Sequence, residues 1–163
     1  MTTLDSLDEL IDALEAQSET LFAFLDRETG ETVVISEESL SLAEAETDEL
    51  DFLQDWQKEE AELARNIQGS DRYLGLPSQF EVNEWNIMAE FCDQIQQNET
   101  RARFLRSIRG SHAFRRFKDQ LTHSGLWDEW HKFRRQAFGE IMREWCEENG
   151  ITLAAPQKQS LRR

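Results

Sequence analysis

"LFAFLDRETGETVVIS", residues 21–36, decides whether this chain is all-helical or mixed. Its two flanks, 21–26 and 32–36, are rich in aromatic and β-branched residues, which suit a pleated strand better than a helix. Between them lies "RETGE", where Gly30 can take the positive φ that a tight turn demands. The stretch therefore predicts a β-hairpin. Upstream, Leu4, Leu7, Leu10, Ile11 and Leu14 recur at steps of three and four behind Thr3, with Asp5 and Asp8 favouring the positive end of a helix dipole, so a short amphipathic helix is predicted. Downstream, Glu37 to Thr47 reads as a solvated acidic connection with few large apolar residues, with or without a helical turn. From Asp48 a stripe of Phe52, Leu53, Trp56, Leu63 and Ile67 predicts a helix stopped by Gly69. "DRYLGLPSQ" then reads as an extended segment ended by Pro77, placing a third strand beside the hairpin.

Beyond Pro77 the periodicity is helical throughout. Trp85, Met88, Phe91, Cys92 and Ile95 mark one helix ending near Asn98. A second runs from Glu99 to Arg109 with Ala102, Leu105 and Ile108 inward, and Gly110 breaks it. Ser111 suits the N-cap of a third, which carries Phe114, Phe117 and Leu121 on one face. Gly125 stops that helix, with Leu126 placed to pack back on Leu121. The last helix spans about Trp127 to Glu148, with Trp130, Phe133, Ala137, Ile141 and Trp145 as its stripe and Gly150 as its stop. The sequence thus predicts an α+β fold: a small antiparallel sheet of two or three strands with a mainly helical C-terminal half. Its organisation is read as an N-terminal amphipathic helix over 1–19, a single α+β domain over 20–151 and a disordered tail over 152–163.

The 163 residues include five Trp and ten Phe, and 39% are hydrophobic, which is enough apolar material for a core and excludes a wholly disordered chain. The formal net charge of −15 argues against general affinity for nucleic acid or an anionic membrane. That charge is uneven: residues 1–71 carry 21 acidic and 3 basic side chains, residues 72–163 carry 12 and 15. The opening "MTTLDSLDELIDALEAQ" has no basic n-region, and no apolar run approaches the roughly 18 residues a membrane span needs, so a cytoplasmic location is expected. Cys92 and Cys146 lie in helical patterns without CxxC or zinc-type spacing and are expected to be buried thiols. His112, His123 and His131 have neither HxxxH nor HExxH spacing, and no Gly-rich phosphate loop is present. No metal and no cofactor is therefore expected.

Several blocks together, "FAFLDRETGETVVIS", "DRYLGLPS", "NEWNIMAEFC", "RGSHAFRRFKDQL" and "GLWDEWHKFRRQAFGEIMREWCEENGI", resemble successive segments of Uncharacterised Protein Family 0158, a group of bacterial proteins. The resemblance covers about residues 20–151 and is most specific from Gly110 through Trp145. That family has no established activity, so the resemblance implies a bacterial fold and leaves the site to be read from the residues.

The strongest feature for chemistry is "RGSHAFRRFKD", residues 109–119, within a run from Arg101 to Lys118 that holds seven basic side chains and no acidic one. If Ser111 caps a helix, the free N–H groups of its first turn and the positive dipole end meet Arg109 and Arg115, and arginine's planar fork suits phosphate or carboxylate. Arg109, Ser111, Arg115, Arg116 and Lys118 are thus a candidate surface for an anion or a partner. The same arginines also read as the polar face opposite Phe114, Phe117 and Leu121. Arg101 and Arg103 are expected to pair with the acidic first half, whereas Arg115 and Arg116 await a partner. Stacking on nucleic acid would require Phe104, Phe114 and Phe117 to be exposed, and spacing places Phe114 and Phe117 together with Leu121 in a core stripe. Asp128 and His131, three apart, could orient an imidazole for base catalysis but also make an ordinary surface pair. No catalytic residue is assigned. The reading that results is a binding protein, an adaptor or regulator whose partner is another protein or a small anionic ligand. The alternative is an enzyme handling a small anionic substrate at the same surface, with His112 or His131 as acid or base.

Overall fold

In the computed structural model, which describes residues 3, 4, 6–42 and 54–153, the chain opens on a short strand, β1 (Thr3–Leu4), followed by α1 (Asp8–Ala16). The predicted first helix is therefore shorter than its leucine pattern. Leu4 is spent on a strand, and the Ser6 hydroxyl accepts the Asp8 N–H at 3.3 Å just where the helix begins. Leu10, Ile11, Ala13 and Leu14 form the buried face.

The hairpin has its predicted strands, β2 (Leu21–Asp26) and β3 (Thr32–Ser36), in register from Leu21 opposite Ser36 to Leu25 opposite Thr32. Gly30 closes the turn at φ 79°, and its N–H reaches the Asp26 carbonyl at 2.8 Å. The start of the acidic connection is helical: α2 (Glu37–Leu42), where the Ser39 hydroxyl donates to Glu60. Residues 43–47, like Phe52 and Leu53, lie outside the described residues. Glu60 belongs to α3 (Asp55–Gln68), whose buried face is Ala61, Ala64 and Ile67 packed with Ile35. Trp56, expected inward, is 61% exposed, and the buried face of the helix runs instead through Ala61, Ala64 and Ile67. The predicted third strand is β4 (Tyr73–Gly75), antiparallel to β2, so the sheet order is β3-β2-β4.

After a single turn, α4 (Gln79–Val82), come α5 (Glu84–Gln94), α6 (Asn98–Ser107), α7 (Ala113–Ser124) and α8 (Trp127–Glu148). Gly125 ends α7 at φ 73°, where the Leu121 carbonyl accepts the N–H groups of both Gly125 and Leu126, as the Leu121–Leu126 pattern predicts. The chain closes with β5 (Thr152–Leu153), parallel to β1, so these two residues of the expected disordered tail are ordered by backbone pairing with Thr3 and Leu4. Residues 154–163 lie outside the described residues.

Two compact units result, Met1–Gln79 with Met142–Arg163, and Phe80–Ile141. Their boundaries fall inside the stretch read from sequence as one domain. The first unit holds the sheet with α1, α2 and α3. The second is built on one ring from each of four helices: Phe91, Phe104, Phe117 and Trp130, all buried. Phe91 meets the other three edge-on at centroid distances of 5.4–6.2 Å, and Phe117 meets Trp130 at 4.7 Å. Three sequence assignments change here. On α6 it is Phe104, not Ala102, that points inward. Phe114 is 42% exposed, and on α8 the buried positions include Phe138 and Met142, while Phe133, Ala137 and Ile141 are half-buried. Arg134 ties the unit together by donating from Nε to Glu84 at 2.8 Å while lying 4.5 Å over the Phe138 ring.

Candidate functional site

The basic run is carried by α6, α7 and the turn between them. Gly110 and His112 both take left-handed backbone, φ 74° and 61°, and reverse the chain there. His112, not Ser111, occupies the N-cap position of α7, and its carbonyl accepts the Arg116 N–H at 3.1 Å. Its side chain makes no capping bond, and because the helix starts one residue later than expected, the Ser111 hydroxyl is not the cap. The N-cap element of the predicted anion site is thereby corrected.

Arg116 reaches back to the preceding helix. Its Nε donates to the Ser107 carbonyl at 3.0 Å and Nη1 to the Ser111 carbonyl at 2.5 Å, while Nη2 donates to the Arg109 carbonyl. These carbonyls belong to the C-terminal end of α6 and the turn after it, where the helix dipole is negative. Arg116 thus faces its own backbone. Arg101 behaves likewise, donating to the Ile95 carbonyl at 2.7 Å and to Asn98 at 2.5 Å. The expected pairing of Arg101 and Arg103 with the acidic first half gives way to contacts within their own helix and the loop before it, since Arg103 bonds Thr100 at 3.4 Å.

Different surroundings hold for the others. The side chains of Arg109 and Arg115 are exposed and make no hydrogen bond or ion pair with any described residue. Lys118 lies 5.8 Å from the centroid of exposed Phe114, one helical turn away. Of the three phenylalanines interleaved with the basic run, Phe104 and Phe117 are core and only Phe114 is accessible.

Among the described residues, a larger and a smaller cavity open on this helical unit beside the basic run. The larger, about 660 Å³, runs along the C-terminal end of α5, the first half of α6 and α8. Its apolar wall is Phe91, Ile95, Leu126 and Phe133, and its cations are Arg103 and Lys132. The smaller, about 350 Å³, lies between α6 and α7 against Arg103, Arg106, Arg116 and Asp119. Arg103 borders both, and its Nε is buried without a partner among the described residues, as is Oε1 of Gln120 in the smaller cavity. The larger cavity was not legible in the sequence, because "DQIQQNE" reads only as a helix end.

His112, His123 and His131 are exposed, and none lines either cavity. His131 stacks on Trp127 at 5.4 Å, and Asp128 makes no hydrogen bond to it. Cys92 and Cys146 are buried, and burial pushes their thiols up to about 12 and about 11, so neither is a ready thiolate. No helix among the described residues is long and apolar enough to cross a membrane.

These observations define an α+β protein with a three-stranded antiparallel sheet and a helical unit that presents exposed arginines beside an accessible phenylalanine. The chain belongs to the uncharacterised protein family UPF0158, which it matches over residues 2–163, so the match extends to residues 2–19 and to the tail. Neither the curated proteins nor the solved structures contain a match.

Proposed function

We propose that the protein acts by binding, as a cytoplasmic adaptor or regulator that holds an acidic segment of a partner protein on Arg109, Arg115 and Lys118, with Phe114 as the apolar contact. One observation carries this reading. In a chain with 33 acidic and 18 basic residues, the side chains of Arg109 and Arg115 stand exposed without a partner among the described residues. Such side chains cost no desolvated pair to separate before a partner arrives, and their potential attracts acidic chains. Arg116 and the Ser111 carbonyl serve as support, because their hydrogen bond holds the turn in place. The enzyme alternative assigns His112 or His131 as acid or base beside the arginines, and neither histidine lines either cavity, which favours binding over that form of it.

Fluorescence anisotropy with a labelled peptide of alternating glutamate and leucine tests the proposal. Binding in the micromolar range is about −8 kcal/mol, and reversal of both arginines (R109E/R115E) should weaken it about tenfold or more, with affinity falling as salt rises. Unchanged binding by the reversed variant, or tighter binding of an oligothymidylate of equal charge, overturns it.

A further inference from the structure

The larger cavity is separate from the α6–α7 face and makes a different kind of site. We propose that it binds a small organic acid with an aromatic or branched apolar body, the acid group held by Arg103 and the body laid on Phe91, Ile95, Leu126 and Phe133.

Three independent features support this. The volume, about 660 Å³, falls in the range of small-molecule sites, and an apolar wall with a few convergent polar groups is their usual lining. The charge is asymmetric: Arg103 and Lys132 face the groove with Glu129 as the single carboxylate on its wall, and neither cation has an ion pair among the described residues. The third is a polar group left unsatisfied. Among the described residues Nε of Arg103 is buried with no acceptor, and the side chain's only bond is the long one from Nη2 to Thr100, whose hydroxyl in turn donates to Gln97 at 2.6 Å. The guanidinium at the groove therefore has no ion pair and little hydrogen bonding, and an acid group supplies the planar pair of oxygens that its fork matches. Glu129 and the rim glutamines Gln94, Gln96 and Gln136 can accept a hydroxyl or N–H elsewhere on the ligand. An apolar body without an acid would leave Arg103 at the groove without an ion pair among the described residues, so the site favours the anion.

The probe is 8-anilino-1-naphthalenesulfonate, an aromatic body with an acid group, compared with N-phenyl-1-naphthylamine, the same body without it. Fluorescence titration should give one site for the sulfonate. Arg103→Met should weaken the sulfonate about tenfold, the loss of one charge-assisted pair, and leave the uncharged amine within about twofold. Gln136→Trp, made at an exposed helix position, should fill the groove and weaken both probes, while R109E/R115E should change neither, which separates this site from the partner-binding face. Melting curves confirm that each variant is folded. Equal effects of Arg103→Met on the two probes, or sulfonate binding untouched by Gln136→Trp, overturn the proposal.

Discussion

Helical geometry sets consecutive side chains about 100° apart, and this separates Arg115 from Arg116. Arg115 leaves α7 toward solvent, while Arg116 swings onto the C-terminal carbonyls of α6 and satisfies acceptors that a helix end leaves open. The two arginines should therefore respond unequally to truncation. Arg116→Ala strands the Ser107, Ser111 and Arg109 carbonyls and is expected to cost about 1–3 kcal/mol, with Ser107, the buried residue of the three, contributing most. Arg115→Ala should stay within about 0.5 kcal/mol of the parent. Urea denaturation of the two variants measures the difference, and equal midpoints would show that the staple on α6 contributes nothing. The spacing of "RRF" announces a polar face beside Phe117, but which arginine turns back depends on the left-handed residue at His112, which no periodicity reveals.

At the scale of elements, the hairpin strands, the third strand, α8 and the stop at Gly125 were legible because each is encoded locally: β-branched pattern, Pro77, a long apolar stripe, a glycine at a helix end. The errors share a cause of another kind. Leu4, Trp56, Ala102 and Phe114 satisfy the helical period of their neighbours, yet β1 draws Leu4 into a parallel pair with the far end of the chain, and the buried arc of α6 and α7 is chosen by Phe91 on α5. Non-local pairing of that sort has no sequence signature. The sheet also carries a clamp that composition hides. Arg72, just before β4, donates to both carboxylate oxygens of buried Asp26 at the end of β2, each at 2.8 Å, and holds that carboxyl well below the usual range. A depressed carboxyl stabilises the fold above its unfolded pKa of about 4 and loses that contribution as pH falls below it. Asp26→Asn should thus lower the melting temperature at pH 7, with the gap to wild type narrowing progressively below about pH 4. A gap constant across that range would mean that the carboxylate charge is not what Arg72 holds. In the helical unit, Trp130→Ala removes the ring packed on Phe91 and Phe117 and should cost about 3–5 kcal/mol; a melting temperature within a degree or two of wild type would refute the four-ring core.

For the whole molecule, charge divides as the two compact units do. Phe80–Ile141 holds 9 acidic and 10 basic residues, whereas Met1–Gln79 with Met142–Arg163 holds 24 and 8. A near-neutral unit gains or loses little when charges are screened, but one with a large excess of one sign repels itself, and salt relieves that repulsion. Each unit contains one buried cysteine, Cys92 in the near-neutral one and Cys146 in the acidic one, and both thiols are protected by burial and by raised pKa. Modification of each therefore requires its surroundings to open, and where reclosing is fast the rate follows the open population. In the single-cysteine variants Cys92→Ala and Cys146→Ala, an uncharged reagent such as 4,4′-dithiodipyridine reads one unit at a time without itself being steered by charge. Between about 0.1 M and 1 M sodium chloride the screening length falls from about 10 Å to about 3 Å, so labelling of Cys146 should slow severalfold while labelling of Cys92 changes little. Equal slowing at both thiols, or faster labelling of Cys146 in salt, would show that self-repulsion in the acidic unit does not govern its opening.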